Sequence, residues 1–248
     1  MKHLIFLLFL AATTLPLFAQ RITETQYFDK NDDSTRKENA VTYSLTTYTD
    51  SSKKVYTVKK YSIKGQLQSD FSFRTYGVQV KYDGNYIVYH DNGHLKIKGA
   101  YIRDRLQGEL TSWYANGQIK RKDEYVMDSL IRGHCYTATG KDTTWFPFDV
   151  GFTYGNGLQE LFQFFGKNIH YPINSLKLGI QGDVHILFTI EKNGTVSHEQ
   201  VRKSVNEEID AEALRIFRVL PPNWKPTLKD GEPQRQQAIL PVSFRVEG

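Results

Sequence analysis

The chain has 248 residues, of which 24% are charged and 40% hydrophobic, with a formal net charge of +5 and one cysteine. This composition is typical of a globular protein of one or two domains and excludes intrinsic disorder over most of the length. After the first twenty residues no apolar run is long enough for a membrane-spanning helix, and a single cysteine excludes both an intramolecular disulfide framework and a multi-cysteine metal cluster.

The N-terminus has the pattern of a secretory signal peptide over residues 1–19. Lys2 gives a basic start, residues 4–18 form an apolar run, and Ala19 is a small residue suited to cleavage. Because this run is shorter than the roughly 20 residues that span a bilayer, we expect cleavage and export to a bacterial periplasm. An uncleaved helix that anchors the protein in the inner membrane, facing the periplasm, is the alternative.

Residues 20–53 are predicted to be a polar leader, although Tyr43, Leu45 and Tyr48 have the spacing of a possible first strand. Residues 54–140 then show a repeat, because Asn92-Gly93 and Asn116-Gly117 lie 24 residues apart. The positions that match at this offset are Gly84 and Gly108, Tyr89 and Trp113, Leu95 and Ile119, Lys96 and Lys120, and Tyr101 and Tyr125. Asn-Gly favours a type I′ turn, so each unit is predicted to be a β-hairpin, and the hairpins are predicted to stack into one sheet.

The segments 84–95 and 108–119 resemble the variant MORN-type repeat of bacterial exported proteins, and weaker copies flank them at 64–67 and 133–140. The resemblance implies a hairpin array that serves as a scaffold or an interaction surface. Between Lys53 and Arg132 basic residues exceed acidic ones by seven, which predicts a solvated basic face that discourages edge pairing. Nucleic acid is not expected as a partner of an exported protein, whereas acidic components of the cell envelope remain an alternative.

Residues 141–156 are polar or glycine-rich around a short apolar stretch and are predicted to be a linker. After it, Leu158, Leu161, Phe162 and Phe165 have the spacing of one helix face. Residues 182–190 alternate between the two faces of a predicted strand, with the apolar residues on one face. A turn at Asn193-Gly194 connects this strand to a second one, which spans residues 195–202. A helix over 204–219 follows, with Ser204, Asn206 or Asp210 as its N-cap, and a last alternating strand crosses residues 238–246.

The motifs of this C-terminal part resemble the TonB C-terminal domain over about residues 157–248. They are Tyr171-Pro172, 179–184, Phe188, Asn193-Gly194, 210–215, Trp224-Lys225-Pro226, Gly231 and 240–244. The resemblance implies a three-stranded antiparallel sheet backed by two helices. It also implies a non-enzymatic role, in which the domain grips a short extended segment of an outer-membrane transport protein by strand addition. The predicted fold class is thus α+β: an all-β hairpin array followed by a small domain of two helices and three strands.

The chain departs from that family's usual build, because no proline occurs between Pro16 and Pro147 where a proline-rich spacer is expected. We therefore favour a relative that binds partners without transmitting force over a full energy transducer. A second hypothesis is an envelope-associated structural scaffold, in which the repeats bind the envelope and the C-terminal domain oligomerises.

The predicted binding site is the free edge of the last strand. Pro241 has no N–H to give to a ladder, which places this strand at a sheet edge. The candidate residues for contact with a partner peptide are Arg235, Gln236, Gln237, Ile239, Pro241 and Ser243. The alternative occupant of this edge is a second copy of the chain, which would give a homodimer.

No catalytic, cofactor or metal site is predicted. His90 and His94 are four residues apart, but they are predicted to flank a hairpin turn, where that spacing does not bring both rings to one metal. His134-Cys135 has no signature of a nucleophile, so Cys135 is interpreted as a buried structural thiol.

Overall fold

The structure is a computed structural model that describes residues 21–246, so the predicted signal peptide at 1–19 lies outside the described residues. The chain forms two compact units, with the division between Trp145 and Phe146. From residue 21 onward, the first unit is β structure apart from one 3₁₀ turn at Lys37–Asn39, and the second unit combines helices with small sheets. In the described part of the chain, no helix has both the length and the apolar character needed to cross a membrane.

One antiparallel sheet of eleven strands makes up the first unit. Strands adjacent in the sequence pair with each other, except that β6 pairs with both β7 and β8, so the predicted stack of hairpins is present. The strands are β1 Thr23–Phe28, β2 Thr42–Tyr48, β3 Val55–Ser62, β4 Leu67–Tyr76, β5 Gln79–Tyr89, β6 Leu95–Ile102, β7 Arg105–Leu106, β8 Gly108–Trp113, β9 Ile119–Val126, β10 Ser129–Tyr136 and β11 Asp142–Thr143.

The Asn-Gly turns differ in type from the prediction. At the turn between β5 and β6, His90 N–H donates to the His94 carbonyl at 2.9 Å and Gly93 N–H donates to the His90 carbonyl at 2.8 Å. Only Gly93 has a positive φ, of 84°, so this is a three-residue loop with a glycine bulge and not a type I′ turn. Asn92 instead accepts a hydrogen bond from His94 N–H at 3.0 Å through its side chain, which fixes the loop locally.

Type I′ turns occur at the other end of the hairpins, where the sequence has no glycine. Arg103 and Asp104 both have positive φ, as do Met127 and Asp128 one period later. Each aspartate accepts a hydrogen bond from a backbone N–H of the preceding hairpin: Asp104 from Tyr82 at 2.7 Å, and Asp128 from Leu106 at 2.7 Å. These bonds tie each turn to the hairpin before it, and the two bonds are related by the 24-residue period.

The region predicted as a polar leader is part of the sheet, which corrects that expectation. Strand β1 pairs with β2 over six residues, and Tyr27 packs on Tyr43 with ring centroids 6.2 Å apart. Tyr43 in turn stacks on Tyr61 of β3 at 5.2 Å. The aromatic row extends the hairpin array toward the N-terminus, where the charges of residues 31–39 hid the pattern.

The face of the sheet opposite the exposed lysines carries a buried polar cluster. Arg121 and Asp123 form an ion pair in which neither side chain is exposed. Asp123 also accepts hydrogen bonds from the Tyr125 hydroxyl at 3.0 Å and from Trp145 Nε1 at 3.1 Å, so both of its oxygens are satisfied. Burial raises the pKa of Tyr125, which keeps the hydroxyl protonated as a donor. Cys135 is also buried.

The second unit contains three helices and three small sheets. Its helices are α1 Leu158–Asn168, α2 Ile173–Lys177 and α3 Glu207–Arg218. Its strands are β12 Asp149–Val150, β13 Thr153–Tyr154, β14 Gly182–Ile190, β15 Val196–Lys203, β16 Trp224–Lys225, β17 Leu228–Lys229, β18 Glu232–Pro233 and β19 Gln236–Phe244. The core of this unit lies between the helices and the sheet of β14, β15 and β19.

Helix α3 forms as the sequence predicts. Asn206 caps it by accepting a hydrogen bond from Ile209 N–H at 2.8 Å, which selects one of the three candidate N-caps. Ile209, Ala213, Ile216 and Phe217 are buried along one face, and this face packs on the core. The acidic residues of the first turn lie at the positive end of the helix dipole, which stabilises their charge.

Two of the four residues predicted for the apolar face of helix α1 are buried, and the other two are exposed. Leu158 and Phe162 are 52% and 54% exposed, whereas Leu161 and Phe165 are buried and Phe164 packs against the core. The buried stripe is therefore rotated by about one residue from the predicted one. Helix α2 was not predicted, because five residues are too few to show a helical period.

The strands β12 and β13 lie within residues 141–156 and pair with β17 and β16, respectively. We propose that the chain divides in this stretch, and limited proteolysis with a protease of broad specificity, such as proteinase K, tests the proposal. Lys141 to Thr144 are exposed, so brief digestion is expected to release a stable C-terminal fragment that begins between residues 141 and 156. Uniform resistance to cutting across these residues would instead show a single cooperative domain.

Candidate partner-binding edge

Strand β19 is an outer strand of the three-stranded sheet, in which β14 is central and β15 forms the opposite edge. It pairs with β14 over nine residues, from Gln236 to Phe244, without a register shift. Its other side has no strand neighbour within the described chain. A long and regular strand with one unpaired side has the geometry that accepts an additional strand.

The side chains of β19 alternate between the core and solvent. Ala238, Leu240, Val242 and Phe244 are buried, whereas Gln237, Ile239, Pro241 and Ser243 are exposed. Ile239 is the large apolar member of the exposed set, with 53% of its surface accessible. In the register with β14, Ile239 lies opposite Leu187 and Pro241 opposite His185, so these β14 residues share the exposed face. Neither Leu187 nor His185 was predicted as a site residue, although their alternation in β14 identifies the same face.

Pro241 shows which backbone groups of β19 point away from β14. Since proline has no N–H, the pair of Pro241 with His185 is a non-hydrogen-bonded pair of the antiparallel ladder. Alternation then places the N–H and carbonyl groups of Gln237, Ile239 and Ser243 on the outer side of the strand. Three donors and four acceptors therefore face outward, with the one missing donor at Pro241.

The six predicted site residues fall into two groups. Gln237, Ile239, Pro241 and Ser243 are exposed along the open edge. Arg235 forms an ion pair with Glu191 at 3.2 Å, and Gln236 is half-buried and accepts a hydrogen bond from the Thr227 hydroxyl. These two contacts hold the start of β19 in place. Both side chains are thus occupied by partners within the chain.

An ion pair fixes the other end of the strand. Asp183 of β14 accepts hydrogen bonds from the Ser243 hydroxyl and from Arg245 Nη2, both at 2.7 Å. The Ser243 bond, followed by that of Arg245, lowers the pKa of Asp183, so the carboxylate stays ionised at neutral pH. With both ends fixed, the middle of β19 is held in an extended form without a partner.

The opposite edge, β15, is less suited to pairing. Its ladder with β14 shifts register twice, and His198 has a positive φ of 57°. Irregular, charged edges resist the addition of a strand. The two edges of this sheet are therefore not equivalent, and β19 is the better candidate.

The histidine pair noted in the sequence, His90 and His94, lies at the turn between β5 and β6. His90 Nε2 lies 2.9 Å from the Trp113 carbonyl, which makes it part of the contact between neighbouring hairpins. Within residues 21–246, no three potential metal-binding side chains cluster.

Comparison with known families agrees with the resemblance found in the sequence. Residues 167–246 match the model of the Gram-negative bacterial TonB protein C-terminal, and residues 82–102 and 106–127 match that of the MORN repeat variant. Among solved structures, the chain is similar to the NMR solution structure of the Helicobacter pylori TonB C-terminal domain. That match has 19% identity and a TM-score of 0.30, and it covers 37% of this chain and 81% of the other. No curated protein matches the chain.

Proposed function

We propose that the C-terminal unit is a non-enzymatic, periplasmic binding module of TonB type, which takes up an extended segment of an outer-membrane transport protein along β19. The match of residues 167–246 to the TonB C-terminal family supports the TonB-type role. The observation that supports the binding mode is the open, regular edge of β19 over nine residues.

The expected affinity follows from the backbone groups of this edge. A hydrogen bond contributes roughly 1 kcal/mol net, and pairing over about six residues with some side-chain contact offsets the cost of ordering the peptide. The result is a dissociation constant near 1 μM, or about −8 kcal/mol. Such binding is reversible, as a coupling interaction requires.

The proposal is tested by adding the tagged chain to envelope extract and identifying the proteins that co-purify with it. Two variants of Ile239 are compared with the native chain. Ile239→Pro removes an outward N–H, and Ile239→Ala keeps this N–H but removes the apolar side chain. Pro241 already occupies an equivalent place in the strand, so the proline variant is expected to fold. Outer-membrane transport proteins should be enriched with the native chain and with Ile239→Ala, and their recovery should fall clearly with Ile239→Pro.

Equal recovery of transport proteins by all three chains would contradict strand addition at β19. Recovery of envelope material that depends on residues 54–140 alone would favour the scaffold hypothesis. A homodimer through β19 would appear as a concentration-dependent mass in sedimentation, abolished by Ile239→Pro.

A further inference from the structure

The hairpin array carries a groove on its exposed face, separate from the edge of β19. A hollow of about 570 Å³ crosses strands β5 to β9, and a second of about 480 Å³ crosses β8 to β10. Glu109 and Lys122 line both hollows, so the two are neighbours on this face, and together they are called the groove here. This volume is in the range of sites for small ligands or for short pieces of a polymer.

A basic row lies along the groove. In the register of the sheet, Lys98 lies opposite Thr111, Thr111 opposite Lys122, and Lys122 opposite His134. Both lysines are exposed, and neither forms an ion pair with any residue in the described range. They are one repeat period apart and two strands apart, so their backbones are separated by about 9–10 Å. Two unpaired ammonium groups on either side of a buried threonine favour an anionic group above it.

An acidic row lies on one side of the lysines. Glu109 lies opposite Glu124 in the pairing of β8 with β9. Glu109 accepts a hydrogen bond from the Thr111 hydroxyl at 2.7 Å, and Glu124 is paired with Arg132 at 2.8 Å. A ligand that is anionic along its whole length would be repelled here, which argues against a polyphosphate such as nucleic acid. Hydroxyl groups, in contrast, donate well to carboxylates.

An apolar row lies on the other side. Trp113 is two residues along β8 from Thr111, so it stands on the same face at about 6–7 Å. It pairs with Ile119, and Leu95 continues the row on β6. A half-buried indole beside polar groups offers a flat apolar surface with one donor at its edge.

We propose that this groove binds a carboxylate-bearing glycan. The carboxylate lies between Lys98 and Lys122, the hydroxyl groups donate to Glu109, and the C–H face of a sugar ring packs on Trp113. Each of the three rows accounts for one feature of such a sugar. The proposal does not depend on the function assigned to β19.

The test measures binding of oligogalacturonate to the full chain at about 150 mM salt, by the emission of Trp113 and by calorimetry. Lys98→Gln with Lys122→Gln should weaken binding tenfold or more, since two charge-assisted contacts are lost. The control, Lys54→Gln with Lys64→Gln, removes the same charge at exposed positions elsewhere and should leave affinity within twofold. Lys98→Arg with Lys122→Arg should retain binding, and Trp113→Phe should lose the fluorescence change.

Four results would overturn the proposal: no binding of oligogalacturonate, an equal loss in both glutamine double variants, equal affinity for the neutral maltotetraose, or tighter binding of single-stranded DNA. The first result excludes this ligand class, and the second shows general charge attraction. The third shows that the lysines recognise no anion, and the fourth shows a polyphosphate site. None of these four results depends on β19.

Discussion

Replacing Phe188 by alanine is expected to lower the free energy of unfolding of the C-terminal unit by about 3–5 kcal/mol. Phe188 is 1% exposed in the central strand β14, and its ring lies 4.8 Å from that of Phe217 and 5.0 Å from that of Trp224. These contacts join the sheet to helix α3 and to the chain after it. Since a domain is stable by about 5–15 kcal/mol, this loss is a large share of the stability of the unit.

Phe162→Ala is the matched control, because it removes the same side chain from a position that is 54% exposed. It should cost less than about 1 kcal/mol. Guanidinium titration followed by circular dichroism at 222 nm measures both variants, since the three α-helices of the described chain all lie in this unit. A small loss for Phe188→Ala, or equal losses for the two variants, would contradict the packing of β14 on α3.

In the C-terminal unit, the prediction is right for the elements whose apolar residues keep one helix or strand period over their whole length. Strand β14 and helix α3 are such elements, and the buried residues of both match the prediction. The face of α1 was predicted only in part, because hydrophobic residues occupy most of one half of that helix. The position of the sheet decides which of these hydrophobic side chains are buried. The periodicity of the sequence carries no information about that position.

The turns of the hairpin array show a second limit. Asn-Gly is compatible with a type I′ turn and also with a three-residue loop that ends in a bulged glycine. Which of the two turns forms depends on the register of the flanking strands. The repeat in the sequence does not decide between two registers that differ by one residue. The true type I′ turns, at Arg103-Asp104 and Met127-Asp128, are held by aspartate bonds to a neighbouring hairpin, and this contact is not local in the sequence.

The open edge of β19 was predictable because one residue, Pro241, restricts the strand to an edge. The roles of Arg235 and Gln236 were not predictable, since their partners, Glu191 and Thr227, are 44 and 9 residues away. The unsuitability of β15 as an alternative edge depends on the backbone at His198, which has no signature in the sequence.

Binding of a partner strand is expected to protect a defined set of backbone amides. The N–H groups of Gln237, Ile239 and Ser243 point away from β14, so in the free protein they exchange with solvent at rates near those of exposed amides. At a peptide concentration of about 100 times Kd, their exchange should slow by about 100-fold. The amides of Ala238, Leu240 and Val242 already pair with β14 and should change little by comparison.

The most direct test of strand addition is amide exchange in the chain, residue by residue, with and without the peptide segment of the transport protein recovered by co-purification. The account predicts slowed exchange at Gln237, Ile239 and Ser243 and unchanged exchange at the outer amides of β15. Tight binding of the peptide without protection of these three amides would contradict the account, because the partner would then be held through side chains or another surface.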